Sequence, residues 1–349
     1  MGELSSPRNH RDGNKVVLKK LLTGLLILAL LLAGLATYWV LRPLPLARDP
    51  VDLSIEPGTS VRGIAELSVV SGVQVSPGGL FALFRWSGQA RLIRAGSYEI
   101  PQGTSAWGLL QKLVRGDESL RAVTLVEGWN FAQFRAALAK ADGLQHETAA
   151  LSDDDLMARL GRPGLMPEGR FYPDTYTFGK GSGDLRILQR ALHAMDRQLA
   201  AIWSQRSADS QLKSAEEALI LASIVEKETG RASDRGLISA VFHNRLKLGM
   251  PLQTDPTVIY GLGSQFDGNL KRGHLRTDHP WNTYTRTGLP PTAIAMPGKA
   301  ALLAAVQPAN STALYFVARG DGSSQFSETL SQHNAAVDRF QRRRNGTAP

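Results

Sequence analysis

The sequence contains no cysteine. Disulfide stapling, thiolate-ligated zinc, iron–sulfur clusters and a thiol nucleophile are thereby excluded. No G-x-S-x-G elbow of a serine hydrolase is present. His243, His274, His279 and His333 match no metal-ligand spacing such as H-E-x-x-H, so they read as surface or hydrogen-bonding groups. Charge is missing from 21 consecutive residues, LLTGLLILALLLAGLATYWVL, from Leu21 to Leu41. Elsewhere the balance is ordinary: 43% hydrophobic and 20% charged residues describe a globular chain and exclude a disordered one.

At about 1.5 Å per residue, the uncharged run covers roughly 30 Å, the hydrocarbon thickness of a bilayer. A cleaved signal peptide has a shorter apolar core, about 7–15 residues, and ends in a small-x-small site. This run ends instead in Tyr38, Trp39, Val40 and Leu41, with Tyr38 and Trp39 suited to the membrane interface. It reads as an uncleaved signal anchor. Arg8, Arg11, Lys15, Lys19 and Lys20 precede the span, whereas Arg42 and Arg48 follow it beside Asp49 and Asp52. The positive-inside rule therefore puts the N-terminus in the cytoplasm and the rest outside. The first twenty residues carry five cations against Glu3 and Asp12, so +3 of the net +9 lies there. The remaining charge is modest and argues against a nucleic-acid partner.

The RPLPLARDP segment, residues 42–50, reads as a short stiff tether. A weak internal repeat follows. IEPGTSVRGIAELSVVSG (55–72) and IPQGTSAWGLLQKLVRGD (100–117) each place Gly-Thr-Ser before an amphipathic helix, the hydroxyls serving as caps. In the first copy Val61, Ile64 and Ala65 fall on one helix face; in the second copy Trp107, Leu110 and Leu113 do the same. LIRAGSYEI reads as strand–turn–strand, and LVEGWNFAQFRAAL is a poorer third echo. This pattern resembles LysM-like modules, which recognise GlcNAc-containing glycan; Trp86 and Trp107 are the candidates for sugar stacking, or else core residues.

Beyond about residue 121, helices alternate with Gly/Pro-rich loops. A helix is expected from about Leu185 to Ser204, a turn-rich loop from Gly249 to Gly298, a hairpin turning near Gly320–Gly322, and a helix from about Thr329 to Arg343 ending in Arg342, Arg343 and Arg344. In SAEEALILASIVEKET, Ser214 and Glu217 form a capping box, and Ala218, Leu221, Ala222 and Val225 an apolar stripe. Glu226 sits at the stripe's edge near the helix C-terminus. Lost solvation and the negative helix end both favour its protonated form, which a general acid needs. A surface Glu paired with Lys227, Lys247 or Arg231 is the plainer reading. Glu228, two residues on, is expected to face solvent. Gln253, Thr254 and Asp255 gather an amide, a hydroxyl and a carboxylate that could bind sugar or could merely shape an Asx-turn. Asn282, Tyr284 and Arg286 offer hydrogen bonds, and Trp281 and Tyr284 flat faces.

The segments PEGRFYPDTYTF, LASIVEKETG, VFHNRLKLGMPLQTDPTVIYGLG and WNTYTRTGLPPTAIAMPG, in that order, resemble the YceG-like family of membrane-anchored endolytic murein transglycosylases. The likeness spans roughly residues 15–340, with Trp281 where members often have Tyr. It implies an α+β protein with these parts: cytoplasmic tail 1–20, transmembrane anchor 21–41, linker 42–50, LysM-like module 51–120, mixed α+β catalytic domain 121–341, and basic tail 342–349. It implies a lyase that cleaves the MurNAc-β-1,4-GlcNAc bond inside nascent peptidoglycan strands and leaves 1,6-anhydro-MurNAc ends. Glu226 would be the catalytic acid and then base, with Gln253, Thr254, Asp255, Asn282 and Tyr284 positioning substrate. No metal or cofactor is implied. The expected partners are glycan strands, the cell inner membrane crossed once, and peptidoglycan synthases. Two alternatives stand beside it: a hydrolase using Glu226 with Asp255, since water-dependent glycosidases ordinarily need two carboxylates, and a non-catalytic wall-binding scaffold.

Overall fold

The computed structural model describes residues 10–342. Arg8 and the rest of residues 1–9 of the expected cytoplasmic tail, and Arg343, Arg344 and the rest of residues 343–349, lie outside the described residues. The protein is mixed α+β, as expected. It divides into two units, Met1–Arg121 with Gly179–Gly181, and Ala122–Phe178 with Ser182–Pro349.

The first unit begins with α1 (His10–Leu41). Its segment Lys19–Leu41 is long and apolar enough to cross a membrane, and only its end, at Trp39 and Val40, is partly covered by protein. There follow β1 (Val51–Ile55), α2 (Val61–Ser71), α3 (Pro77–Trp86), β2 (Gly96–Ile100) and α4 (Ala106–Arg115). β1 and β2 pair antiparallel, Leu53 opposite Tyr98. Alternation puts Val51, Leu53 and Ile55 inward, as period-two strands require. The two repeat helices begin alike: Ser60 accepts from the Gly63 N–H (3.1 Å) and Ser105 from the Gly108 N–H (3.0 Å).

Three expectations for this unit are corrected. LIRAGSYEI (92–100) holds one strand, not two: Leu92 ends a 3-10 turn begun at Ala90, residues 93–95 are irregular, and only Gly96–Ile100 is extended in a sheet. The RPLPLARDP segment is no free tether. Leu44 is buried and its N–H donates to Thr104 O (2.8 Å), while the Ala47 N–H donates to Gly72 O (2.9 Å). In α4 the core face is Ala106, Leu109, Leu110 and Leu113; Trp107 stays 37% exposed, off that face.

β3 (Leu120–Thr124) and β4 (Thr175–Gly179) each run across the division, and the second unit contains the rest: α5 (Phe131–Lys140), α6 (Asp153–Arg159), α7 (Asp184–Trp203), α8 (Ala215–Glu228), α9 (Ala232–Lys247), α10 (Asp255–Leu262), α11 (Arg272–Arg276), α12 (Lys299–Val306), β5 (Tyr315–Ala318), β6 (Ser324–Ser327) and α13 (Leu330–Val337). β3 pairs with β4, and β5 with β6 as the expected hairpin. α13 passes directly into a wider π-helical turn over Asp338–Arg342, so the chain is helical from the Thr329 cap to the last described residue, as expected.

α8 organises this unit. Every residue from Ala218 to Val225 is buried, the signature of a helix enclosed on all sides rather than lying on a surface. α7, α9 and α12 pack around it. Ser223, the one polar residue in that run, donates to Ile220 O (2.7 Å) and accepts from the Ile294 N–H (3.0 Å), which pins the loop before α12 to the helix. Ser214 caps the start by accepting from the Glu217 N–H (3.1 Å); the Glu217 carboxylate reaches the Lys213 N–H rather than that of Ser214.

The expected loop from Gly249 to Gly298 contains α10 and α11. Asp255 and Pro256 occupy the first helical positions of α10, where proline's missing N–H costs nothing and an acidic side chain suits the positive helix end. The TDP sequence is a helix start.

Candidate active site

The enclosed run of α8 ends at Val225, and its last turn emerges with Glu226 and Glu228 on opposite sides, about 200° apart at 100° per residue. Glu226 is half-buried. Its Oε2 accepts from the Gly298 N–H at 2.9 Å. Burial pushes its pKa up, and the nearby Glu127 carboxylate adds to the rise; the Gly298 N–H, Arg235 and Lys227 oppose it. The negative end of α8 acts in the same direction as burial.

Two loops hold this geometry. The Gly128 N–H donates to Met296 O (2.9 Å) and the Met296 N–H to Trp129 O (2.8 Å), so the VEGW and AMPG segments lie side by side. Lys227 Nζ ties the helix end to Gly128 O (3.1 Å). Gly128 has φ +76°, and a Cβ there would lie 3.8 Å from Glu226 Cγ; the loop therefore needs glycine for its backbone conformation. A Cβ on Gly298 would strike the Glu127 carboxylate, 2.0 Å away. Glu127 and Glu226 thus flank the same glycine.

The other side of the helix end is a second cluster. Glu228 accepts a short hydrogen bond from Thr254 Oγ1. Burial pushes its pKa up to about 7, with Asp255 adding to the rise and Thr254 and Arg245 opposing it. The expectation of a solvent-facing Glu228 is corrected: Thr254, twenty-six residues later, folds back over it. Tyr284 donates its hydroxyl to Asp255 Oδ1 (2.6 Å), and burial drives the Tyr284 pKa above its ordinary value. Arg245 is buried beneath the loop, donating from Nη1 to Leu252 O (2.8 Å) and from Nε to Leu314 O (2.8 Å). Gln253 is the one non-glycine residue with positive φ (+51°) among the described residues. That conformation costs roughly 1–3 kcal/mol and clusters at functional sites; it is held by the Gln253 N–H donating to Thr283 O (3.0 Å).

The residues singled out from sequence therefore separate into groups. Gln253 and Asp255 are exposed and Tyr284 half-buried beside them. Thr254 is buried, its hydroxyl committed to Glu228. Asn282 is fully buried: its amide donates to Leu275 O (3.2 Å) and Thr277 O (2.7 Å), and its Oδ1 accepts from the Tyr284 N–H (2.9 Å). That side chain shapes the loop presenting Tyr284. Trp281 donates from Nε1 to Thr292 Oγ1 (3.0 Å) and meets Tyr260 edge-on. Arg286 forks onto Asp278 (2.9 Å) at the surface. His243 is buried, accepting the Gln211 N–H at Nδ1 and bonding Ala305 O through Nε2. Among the described residues no cluster of three or more His, Asp or Glu could hold a metal ion.

A groove of ≈ 870 Å³ opens beside this helix end. Gly128 and Lys227, the neighbours of Glu226, line it together with Phe131, Glu168, Tyr260 and Trp281. Its size and mixed lining suit an extended ligand with hydroxyl and amide groups. Glu127, Glu168, Glu228 and Arg245 are the site residues that sequence reasoning missed. Glu168 is almost wholly buried in the PEGR segment, accepting from the Phe131 N–H (3.1 Å). Burial pushes its pKa up to about 7, opposed by its hydrogen bonds from Phe131, Tyr260 and Gly169.

This raised value has a stability consequence. The folded form holds its proton more tightly than the unfolded chain does, so the contribution is complete below about pH 4.5 and is lost as pH rises through about 7. A shift of this size corresponds to about 3 kcal/mol. Glu168→Gln, neutral at every pH, should leave stability at pH 4.5 nearly unchanged and raise it at pH 8 by up to about 3 kcal/mol. Thermal melts of the two proteins at both pH values measure the gap; a gap independent of pH would contradict the assignment.

The YceG-like family model matches residues 53–339. The endolytic murein transglycosylase of Bacillus subtilis (strain 168) is 30% identical over 311 residues, 84% of this chain and 86% of that protein. The protein of the same name from Streptococcus pneumoniae (strain D39) is 26% identical over 82% of this chain, a stretch that spans 58% of its own length. A crystal structure of a YceG-like protein from Listeria monocytogenes superposes with a TM-score of 0.52 at 27% identity, covering 83% of this chain and 99% of that one. With the match running through both units and through every segment that builds the site, this chain belongs to the YceG-like family.

Proposed function

We propose that this protein is a membrane-anchored endolytic lytic transglycosylase of peptidoglycan, with Glu226 as its acid and base. The observation that carries the reading is one carboxyl at the end of an enclosed helix, held by the Gly298 N–H through one oxygen, with burial raising its pKa beside an open groove. The names of the relatives support the same substrate class.

The reaction needs no water. Protonated Glu226 gives its proton to the glycosidic oxygen as the MurNAc C1–O bond breaks, and GlcNAc leaves as an alcohol. The MurNAc N-acetyl group stabilises the cation at C1. The Glu226 carboxylate then takes the proton of the C6 hydroxyl, whose oxygen closes onto C1. The acid is regenerated and the product carries a 1,6-anhydro end. A pKa raised by burial above the ordinary carboxylate value favours the protonated form that the first half needs. Gln253, Asp255 and Tyr284 would contact the sugar chain, while Thr254 and Asn282 hold the loops that present them.

Pairing Glu226 with Asp255 as a two-carboxylate hydrolase is less well supported. Asp255 bonds Tyr284 and raises the pKa of Glu228, whereas the carboxylate acting on Glu226 is Glu127. One observation favours a second assignment within the same enzyme: Glu228, also raised by burial, is hydrogen-bonded by Thr254 at the start of α10.

The apolar segment Lys19–Leu41 would anchor the chain in the inner membrane with its N-terminus cytoplasmic, leaving the site outside, where strands emerge from the synthases. Mass spectrometry of uncrosslinked glycan strands treated with the purified full-length protein tests the reaction. Internal cuts with ends lighter by one water are expected. Ordinary reducing ends would make it a hydrolase, and strands of unchanged length would make it a scaffold.

A further inference from the structure

α3 carries two apolar faces where a soluble helix needs one. Leu80 and Phe84, four apart, are buried in the core of the first unit. Gly79, Leu83 and Trp86 follow i, i+4, i+7 spacing and form a second stripe. Trp86 is 85% exposed. That stripe forms one wall of an apolar groove of ≈ 630 Å³, and the other wall is the end of α1, including Leu35 and Trp39. The two helices meet closely: a Cβ on Gly79 would lie 2.9 Å from the Trp39 indole.

We infer that α3 lies in the outer interface of the membrane, with the Leu83–Trp86 end of its stripe against lipid and Gly79 seated on Trp39. The inference rests on the reading of α1 as a membrane span. Leu35 is six residues from the end of that span, about 9 Å at 1.5 Å per residue. Whatever faces Leu35 across the groove therefore lies below the level where the span ends, and lipid fills that groove. An exposed indole beside a span belongs at the headgroup boundary, its ring in the apolar layer and its N–H near water. Charge agrees: from Leu67 to Tyr98 there is no carboxylate, while Arg85, Arg91 and Arg94 are present. A segment of that sign is drawn to anionic headgroups. Trp86 would then serve lipid rather than stack on sugar, and the first unit would be held at a fixed height above the bilayer by its anchor and by α3 together.

The absence of cysteine makes the test clean, since one introduced thiol is the only thiol. Trp86→Cys and Leu83→Cys, spin-labelled in the full chain and reconstituted in phosphatidylglycerol-containing vesicles, are compared with Asp154→Cys, an exposed site of the second unit. Labels at 86 and 83 should collide with oxygen and lose their collisions with a water-soluble nickel chelate, while the label at 154 keeps them. Carbonate washing of the vesicles checks the anchor separately. If the protein stays in the vesicles but the labels at 86 and 83 are as open to nickel as that at 154, the lipid contact is wrong and the anchor stands. If both are shielded from oxygen and nickel alike, protein covers the stripe, and the inference fails. If carbonate strips the protein from the vesicles, the anchor and the inference fall together.

Discussion

Glu226→Gln should abolish cleavage of glycan strands while leaving the protein folded. Glutamine keeps the size of the side chain, and its amide oxygen can still accept the Gly298 N–H. It can neither give nor take a proton. General acid–base catalysis supplies about 10²–10⁴ in rate, and here one carboxyl is asked to perform both transfers, so the loss should fall at the upper end of that range. Glu228→Gln is the informative companion. Glu228 is engaged by Thr254 on the far side of the helix end, so its neutral variant should keep cleavage within about tenfold, a change of about 1.4 kcal/mol. Product release measured for both variants decides the assignment. An active Glu226→Gln with an inactive Glu228→Gln would transfer the acid's role to Glu228. Equal loss in both would mean that the helix end acts as one unit.

How far the sequence reveals this site depends on whether the relevant contacts are local. The edge position of Glu226 is legible because Ser214 fixes where α8 starts and the apolar run fixes its phase. The helical repeat 55–72 and 100–117 is legible for the same reason: the caps at Ser60 and Ser105 are local chemistry. Glu228 is not legible. Its surroundings come from Thr254, Asp255 and Arg245, brought back by the turn after α9, and nothing in VEKE announces them. Glu127 and Glu168 arrive from upstream segments, and only the packing of the VEGW and PEGR loops against α8 and α10 gives them a role. α10 was available in principle, since an acidic residue and a proline at a helix start are a known signal; the density of turn residues around it argued for a loop. α3 misleads in the opposite way. Its pattern is apolar enough for a core helix, and the sequence cannot separate the face that meets the core from the face that meets the end of α1.

Arg245→Ala should be the most destabilising single change near the site. The guanidinium is buried and holds two stretches of chain at once: Leu252 O by Nη1, and the start of β5, where Nε donates to Leu314 O and the guanidinium lies over Tyr315, 5.2 Å from its ring centre. Removing it leaves two carbonyls without donors in a dry place, and each orphaned acceptor costs about 1–3 kcal/mol. It also takes a positive charge from beside Glu228, whose pKa should then rise further above its present value. The sum is about 3–5 kcal/mol, the range for deleting one member of a buried charged network. In a unit of this size that lowers the melting temperature by roughly 10 °C. Arg245→Lys separates charge from geometry. Lysine keeps the positive charge but cannot reach both carbonyls from a planar fork, so it should recover only part of the loss. The strained Gln253 backbone sits next to Leu252, one of the two anchored carbonyls; its conformation should relax when that anchor goes, weakening strand binding in any variant that still folds. Thermal melts of the three proteins, together with KM and kcat for strand cleavage by the lysine variant, test this. A melting temperature within about 2 °C of the parent, corresponding to under about 1 kcal/mol, would mean that water replaces the guanidinium and that the Gln253–Thr283 hydrogen bond holds the loop without it.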